Sequence, residues 1–259
     1  MKTNSTSMNY YFPLLLLTSL WVISCSSSKE EDHKSSDKAE AHYTLPGLDH
    51  GLIQSPINIL TSSLSEANRH EISVTVNRGD NVTGVVNKGH TIELEFNPGT
   101  VVTFDQITYE FKQAHFHTPS EHQIDGITFP MEMHFVCKEQ NKDSKNPEYL
   151  VVAAFFKMGN ENNFISGFIN KIPTHENDTI LLTDDPVYVE DLIGDLSPEM
   201  KYYHYKGSLT TPPYSETVNW LILREIIEAS AEQIQIINAK EGNNARHVQA
   251  LFKREIEAN

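Results

Sequence analysis

The chain has 259 residues, 39% hydrophobic and 21% charged, with a formal net charge of −15. That suits one globular domain of roughly 200 residues plus additional segments, and the acidic balance excludes a nucleic-acid partner, whose phosphates need a basic face. Only two cysteines occur, Cys25 and Cys137; if Cys25 is modified, as argued next, no intrachain disulfide is available.

Residues 1–24 read as a signal peptide of the lipoprotein type. The apolar run from Phe12 to Ile23 is too short for an ordinary membrane span. It ends at Val22-Ile23-Ser24-Cys25, which resembles a bacterial lipobox with Cys25 as the lipidated first residue of the mature chain. The expected location is exported, periplasmic or at the cell surface, anchored to a membrane through that lipid. Residues 25–44 are polar and low in complexity, cannot bury a core and read as a flexible tether. Residues 45–259 read as one domain, without internal repeat or second linker. Of the 12 histidines, His33, His42, His50, His70 and His175 lie in polar stretches and read as solvated.

Strand candidates then follow closely: Ile72–Val76, Val82–Val86, Thr91–Phe96, Val101–Phe104, Ile107–His117, Phe129–Val136 and Tyr149–Met158. Asn97-Pro98-Gly99 marks a turn. Phe164, Phe168 and Ile172 recur every four residues, which predicts a helix over 160–172. Val218–Leu223 is a further strand, and Ser230-Ala231-Glu232-Gln233 has the form of a capping box opening a helix to about Asn238. The expected class is β-dominated α+β, with a large, mostly antiparallel twisted sheet and few short peripheral helices.

The chemistry is concentrated in Ile107–His117 and the strand after it. Side chains at i and i+2 share a strand face, so His115 and His117 point one way and Phe116 the other. Asp125-Gly126 lies midway between Phe116 and His134, and a chain folding back there sets His134 across from the first two histidines. Three imidazoles from two neighbouring strands form the ligand set of a catalytic zinc site with one open position. Gln113 and Glu132 stand two residues before His115 and His134, on the same face, and can accept the free ring N–H of each. Cys137 falls on the opposite face, as a core residue.

Gln54-Ser55-Pro56-Ile57-Asn58-Ile59, Gly89-His90, His115-Phe116-His117, Ser120-Glu121-His122, Glu132-Met133-His134 and Gly207-Ser208-Leu209-Thr210-Thr211-Pro212-Pro213 occur in this order. Together they resemble the α-class carbonic anhydrases from about Leu52 to the C-terminus. The resemblance implies a twisted, mostly antiparallel sheet of about ten strands and a Zn2+ ion in a conical cavity. It also implies reversible hydration of carbon dioxide to bicarbonate and a proton, through attack of a zinc-held hydroxide. It makes His115, His117 and His134 the zinc ligands, with Gln113 and Glu132 behind them. It makes Glu121 and Thr210 the pair that orients the hydroxide, and His90 the proton shuttle. Val136, Val151, Leu209, Val218 and Trp220 become the apolar wall for carbon dioxide, and Thr211 a neighbour of the bicarbonate site. Three neutral imidazoles leave most of the dication's charge uncancelled, so bound water ionises near neutral pH, carbonic anhydrase being the standard example of the effect.

The chain departs from the family in three places. It lacks the cysteine pair common in exported members, it replaces their aromatic N-terminal stretch with His42-Tyr43-Thr44-Leu45-Pro46-Gly47, and it carries Thr118 where animal members often have Trp. Two rival readings stand beside the enzyme: a catalytically silent binding module of the same fold, and a zinc esterase with hydration as a side activity. The small-molecule partner is carbon dioxide or bicarbonate; the oligomeric state stays open, a dimer included.

Overall fold

Ile92, Leu94 and Phe96 alternate with Glu93 and Glu95, and this period of two recurs down the chain, laying it out as strands. In the computed structural model, residues 51–66, 70–75, 81–140, 147–183, 187–189, 192 and 200–259 are described. The signal segment, the tether and Cys25 lie outside them.

Among these residues the strands are β1 (Asn58–Ile59), β2 (Ser65–Glu66), β3 (Ile72–Thr75), β4 (Asn81–Asn87), β5 (Ile92–Phe96) and β6 (Val101–Phe104). Then come β7 (Ile107–His117), β8 (Gln123–Ile124), β9 (Ile127–Thr128), β10 (Met131–Glu139) and β11 (Tyr149–Met158). After helix α1 (Asn163–Phe168) follow β12 (Thr179–Leu181), β13 (Val187–Tyr188), β14 (Tyr202–Gly207) and β15 (Val218–Ala229). Helix α2 (Ala231–Glu241) and β16 (Glu257–Ala258) complete the chain.

The main sheet has 13 strands, with the order β12-β4-β5-β7-β10-β11-β15-β14-β16-β2 along its path and β3, β6 and β13 branching from it. It is antiparallel except for the β11–β15 and β16–β2 pairs, which are parallel. Asp125 and Gly126 both have positive φ, 49° and 79°, and close the β8–β9 hairpin as an Asp-Gly turn does.

Both faces of the central strands are covered, which is why β11 reads as an almost unbroken apolar run. On one face Met131, Met133, Phe135 and Cys137 of β10 join Phe164 and Phe168 of α1 and Ile234 and Ile237 of α2. On the other, Val151, Val218 and Trp220 form a second core with Ile57 and Ile59, and Val136 packs against it. Cys137 is buried and free, as its strand parity requires, and burial pushes its thiol up to about 12.

The predicted helix over 160–172 is shorter in the structure. Asn162 caps it by accepting from Ile165 N, but after Phe168 it tightens into a 3-10 turn over Ile169–Lys171. Gly167 sits where a Cβ would come within 2.6 Å of Val187 Cγ2, so close packing against β13 takes a residue that weakens the helix. The capping box at Ser230 and Gln233 is present, and α2 runs to Glu241, three residues past the expected end. Strand β14 was not expected: Tyr202 to Tyr205 are buried on both faces, so no polar alternation announces it.

Candidate metal centre

Register builds the site. On β7 and β10, His115 pairs with His134, His117 with Glu132 and Gln113 with Val136. Paired residues share a face, so three imidazoles converge with ring centroids 4.5–5.2 Å apart. One nitrogen from each lies within 4.8 Å of the others.

The outer nitrogens of two of the three rings are tied down. His115 Nδ1 lies 2.9 Å from Gln113 Oε1, leaving Nε2 for the centre. His134 Nε2 lies 2.8 Å from Glu132 Oε1, leaving Nδ1. Both ring nitrogens of His117 are buried without a hydrogen-bond partner, and Nε2 is the one 3.6 Å from Glu121 Oε2. Burial, with the neighbouring imidazoles, lowers all three, His115 to about 3. Neutral imidazole is the form that binds a metal, and a buried nitrogen lacking a partner is what a ligand looks like before its ion is added. The residues fit a dication held by three nitrogens with an open position.

Glu132 is the hinge of the site. Its Oε2 accepts from the backbone N–H of Glu121 and His122, both at 2.8 Å, and its Oε1 faces His122 Nδ1 at 2.7 Å and His134 Nε2. Burial opposes its charge, but His122 and His134 outweigh that and hold the carboxyl well below its ordinary range. His122 continues to the Tyr205 hydroxyl at 2.6 Å, which lies 2.8 Å from Ser55 Oγ.

Glu121 is buried, with Oε1 accepting from Arg246 N at 2.9 Å and Oε2 3.6 Å from His117 Nε2. Burial, then the charge on Glu132, raises its carboxyl to about 8, while the Arg246 N–H and the Thr210 hydroxyl pull it back. A cation at the histidines favours its ionised form. The Thr210 hydroxyl is thus within reach of the Glu121 carboxyl.

The apolar residues gather beside the histidines. Val136 pairs with Val151 and Val151 with Trp220, while Leu209 and Val218 belong to the same cluster. The Trp220 ring is 4.9 Å from that of His134. Thr211 and His90 are exposed. His90 Nδ1 lies 3.1 Å from Lys88 O, and the His90 charge is one of the influences lowering His115, which sets it within electrostatic reach of the centre.

Sequence reasoning gave no role to Tyr205, Asn244 or Arg246. Asn244 ties together the two strand ends: Oδ1 accepts from Thr118 N, and Nδ2 donates to the carbonyls of His90 and Phe116. Arg246 Nη1 donates to Gln54 Oε1 and Ser55 O, which explains why the Gln54-Ser55 motif belongs to this site. No local signal marks either, since Gly242-Asn243-Asn244 reads only as the polar stop after α2. His70, expected to be solvated, is instead held between Asp105 and Glu257, because the β6–β7 turn and the C-terminal strand both reach it.

The profile of the eukaryotic-type carbonic anhydrase family matches residues 40–259. A carbonic anhydrase of Pectobacterium carotovorum is 37% identical over 205 residues, covering 79% of each chain. One from Neisseria gonorrhoeae is 37% identical over 208 residues, covering 79% of this chain and 76% of the relative. The α-carbonic anhydrase from Thermovibrio ammonificans, solved with the inhibitor sulfanilamide, superposes with a TM-score of 0.71 at 35% identity, covering 79% of this chain and 86% of that one. With the histidine centre, its register and this coverage together, the chain belongs to the α-class, eukaryotic-type, carbonic anhydrases.

Proposed function

We propose that the chain catalyses reversible hydration of carbon dioxide to bicarbonate, with Zn2+ held by His115 Nε2, His117 Nε2 and His134 Nδ1. One observation carries the reading: three neutral imidazoles, two buried and one half-buried, converge while Gln113 and Glu132 occupy the outer nitrogens of two of them. When bound, zinc supplies a Lewis acid that lets water ionise near neutral pH.

The chain's own residues do the rest. Ionised Glu121 accepts the hydrogen bond of the Thr210 hydroxyl, so Thr210 Oγ1 is left to accept from the nucleophile and thereby fixes where its lone pair points. Val136, Val151, Leu209, Val218 and Trp220 exclude water and offer carbon dioxide, which has no net dipole, an apolar surface; charged bicarbonate is held poorly there and leaves. Thr211, exposed beside Thr210, is where bicarbonate can be hydrogen-bonded. The rival readings separate in one comparison: hydration and ester cleavage are assayed side by side with metal removed and restored. The hydratase reading expects hydration to dominate and both activities to need the ion. Ester cleavage without hydration, or neither activity with metal bound, overturns it.

His90 is proposed as the proton shuttle, since an exposed imidazole can take and release a proton at neutral pH. His90→Ala should lower the maximal rate in weak buffer, leave kcat/KM nearly unchanged, and recover on adding imidazole. A variant that turns over like wild type at low buffer places the shuttle elsewhere.

Residues 1–24 as signal peptide, residues 25–44 as tether and the lipid on Cys25 are proposals from the sequence, as is the exported, membrane-anchored location. The mature N-terminus should carry the mass of a lipidated Cys25, and Cys25→Ala should leave the precursor unlipidated. An unmodified wild-type N-terminus rules the anchor out.

A further inference from the structure

On β14 successive side chains point to opposite faces, so where Tyr205 turns towards His122, His204 turns away. On that other side the chain gathers His204 of β14, Glu257 of β16, His70 ahead of β3 and Asp105 from the β6–β7 turn. His70 Nδ1 lies 2.6 Å from Asp105 Oδ2 and its Nε2 2.6 Å from Glu257 Oε2; the same Glu257 oxygen lies 2.9 Å from His204 Nδ1. The donor atoms of His70, His204 and Glu257 all lie within 4.8 Å of one another. Phe104 stacks on His70 at 4.9 Å and leans on His204 at 5.2 Å, walling the two rings in.

A neutral imidazole has one ring N–H. If His70 gives its own to Asp105, its Nε2 lone pair faces a carboxylate oxygen at contact distance, which is repulsive without a cation between them. A proton on Nε2 is one such cation, but it serves only that contact. A metal ion serves the His70 nitrogen, the His204 nitrogen and the Glu257 oxygen at once, with Asp105 fixing the tautomer of His70 from behind, an arrangement typical of ligating histidines. The 2.6 Å contact would open by about 0.8 Å to admit the ion, since two ligands each about 2.0–2.2 Å from a tetrahedral centre stand about 3.4 Å apart.

We propose that His70 Nε2, His204 Nδ1 and Glu257 form a second metal site, separate from the His115 centre and suited to a borderline ion of the Zn2+, Ni2+ or Cu2+ kind. Two imidazoles and one carboxylate select these over Ca2+ and Mg2+, which take oxygen ligands. The site can be reached from water, since the Asp105 side chain is 45% exposed and that of Glu257 16%. The competitor is the proton: burial pulls His70 down, but its hydrogen bonds to Glu257 and Asp105 outweigh that and raise it. Asp105, Glu257, His204 and Tyr202 are the titratable groups whose fields meet there. Metal binding therefore displaces a proton and strengthens as pH rises.

The test starts from full-length enzyme already carrying one equivalent of zinc. Zn2+ or Co2+ is added at pH 8 and pH 6, and binding is followed by calorimetry and metal analysis. A second equivalent is expected at pH 8, weaker at pH 6 by about tenfold or more. His70→Gln and Glu257→Gln should each lose it while keeping the first equivalent and wild-type hydration. Failure of the wild type to take a second equivalent at pH 8 overturns the site and leaves His70 as a protonated clasp. Retention of the second equivalent in both variants overturns it equally, by placing that metal on other histidines.

Discussion

His117→Ala should lose the catalytic metal and lower carbon dioxide hydration by at least about a thousandfold. The ring is buried, neither of its nitrogens has a hydrogen-bond partner, and Glu121 Oε2 lies 3.6 Å from Nε2. Removing the imidazole leaves two nitrogen donors, too few to fix a tetrahedral ion with one open position. The fold should survive, because His117 ends its strand and β7 stays paired with both β5 and β10. Far-ultraviolet circular dichroism and metal analysis of the purified variant check both halves, and the metal-free forms are the proper comparison for stability, since bound metal stabilises by mass action. His117→Asn serves if the alanine variant does not fold. Full activity in a folded variant would remove His117 from the site.

Glu132→Gln should weaken metal affinity by about 10–100-fold. The carboxylate accepts from four N–H groups: the backbones of Glu121 and His122, and the rings of His122 and His134. A glutamine presents an NH2 to two of them, so donor faces donor. His134 then loses the acceptor that keeps its proton on Nε2 and its Nδ1 lone pair on the ion. The unsatisfied buried groups should also cost about 1–3 kcal/mol of stability. Chelator competition reads the first effect and chemical denaturation of the metal-free protein the second. An unchanged affinity would mean that the ring is oriented by packing against Trp220 instead.

The site was legible wherever chemistry followed strand parity. A period of two put His115, His117, Gln113, His134, Glu132 and Val136 on one face, and Asp125-Gly126 announced the reversal between the strands. The same parity sent Cys137 to the opposite core. What stayed hidden depended on distant chain segments. Arg246 and Asn244 reach the centre across the length of the domain, and no local spacing marks them. Strand β14 escaped because both its faces are buried, which erases the alternation that reveals a half-exposed strand. His70 looked solvated for a related reason: its flanking residues are polar, while its partners Asp105 and Glu257 are brought to it only by the fold.

The most direct test of the central claim is a zinc titration of metal-free protein followed by initial rates of carbon dioxide hydration. The account predicts negligible activity without metal, a linear rise, and a plateau at one equivalent bound to the His115, His117 and His134 centre, with any further equivalent adding nothing. Full hydration by verified metal-free protein, or activity that does not track zinc at this centre, would contradict it.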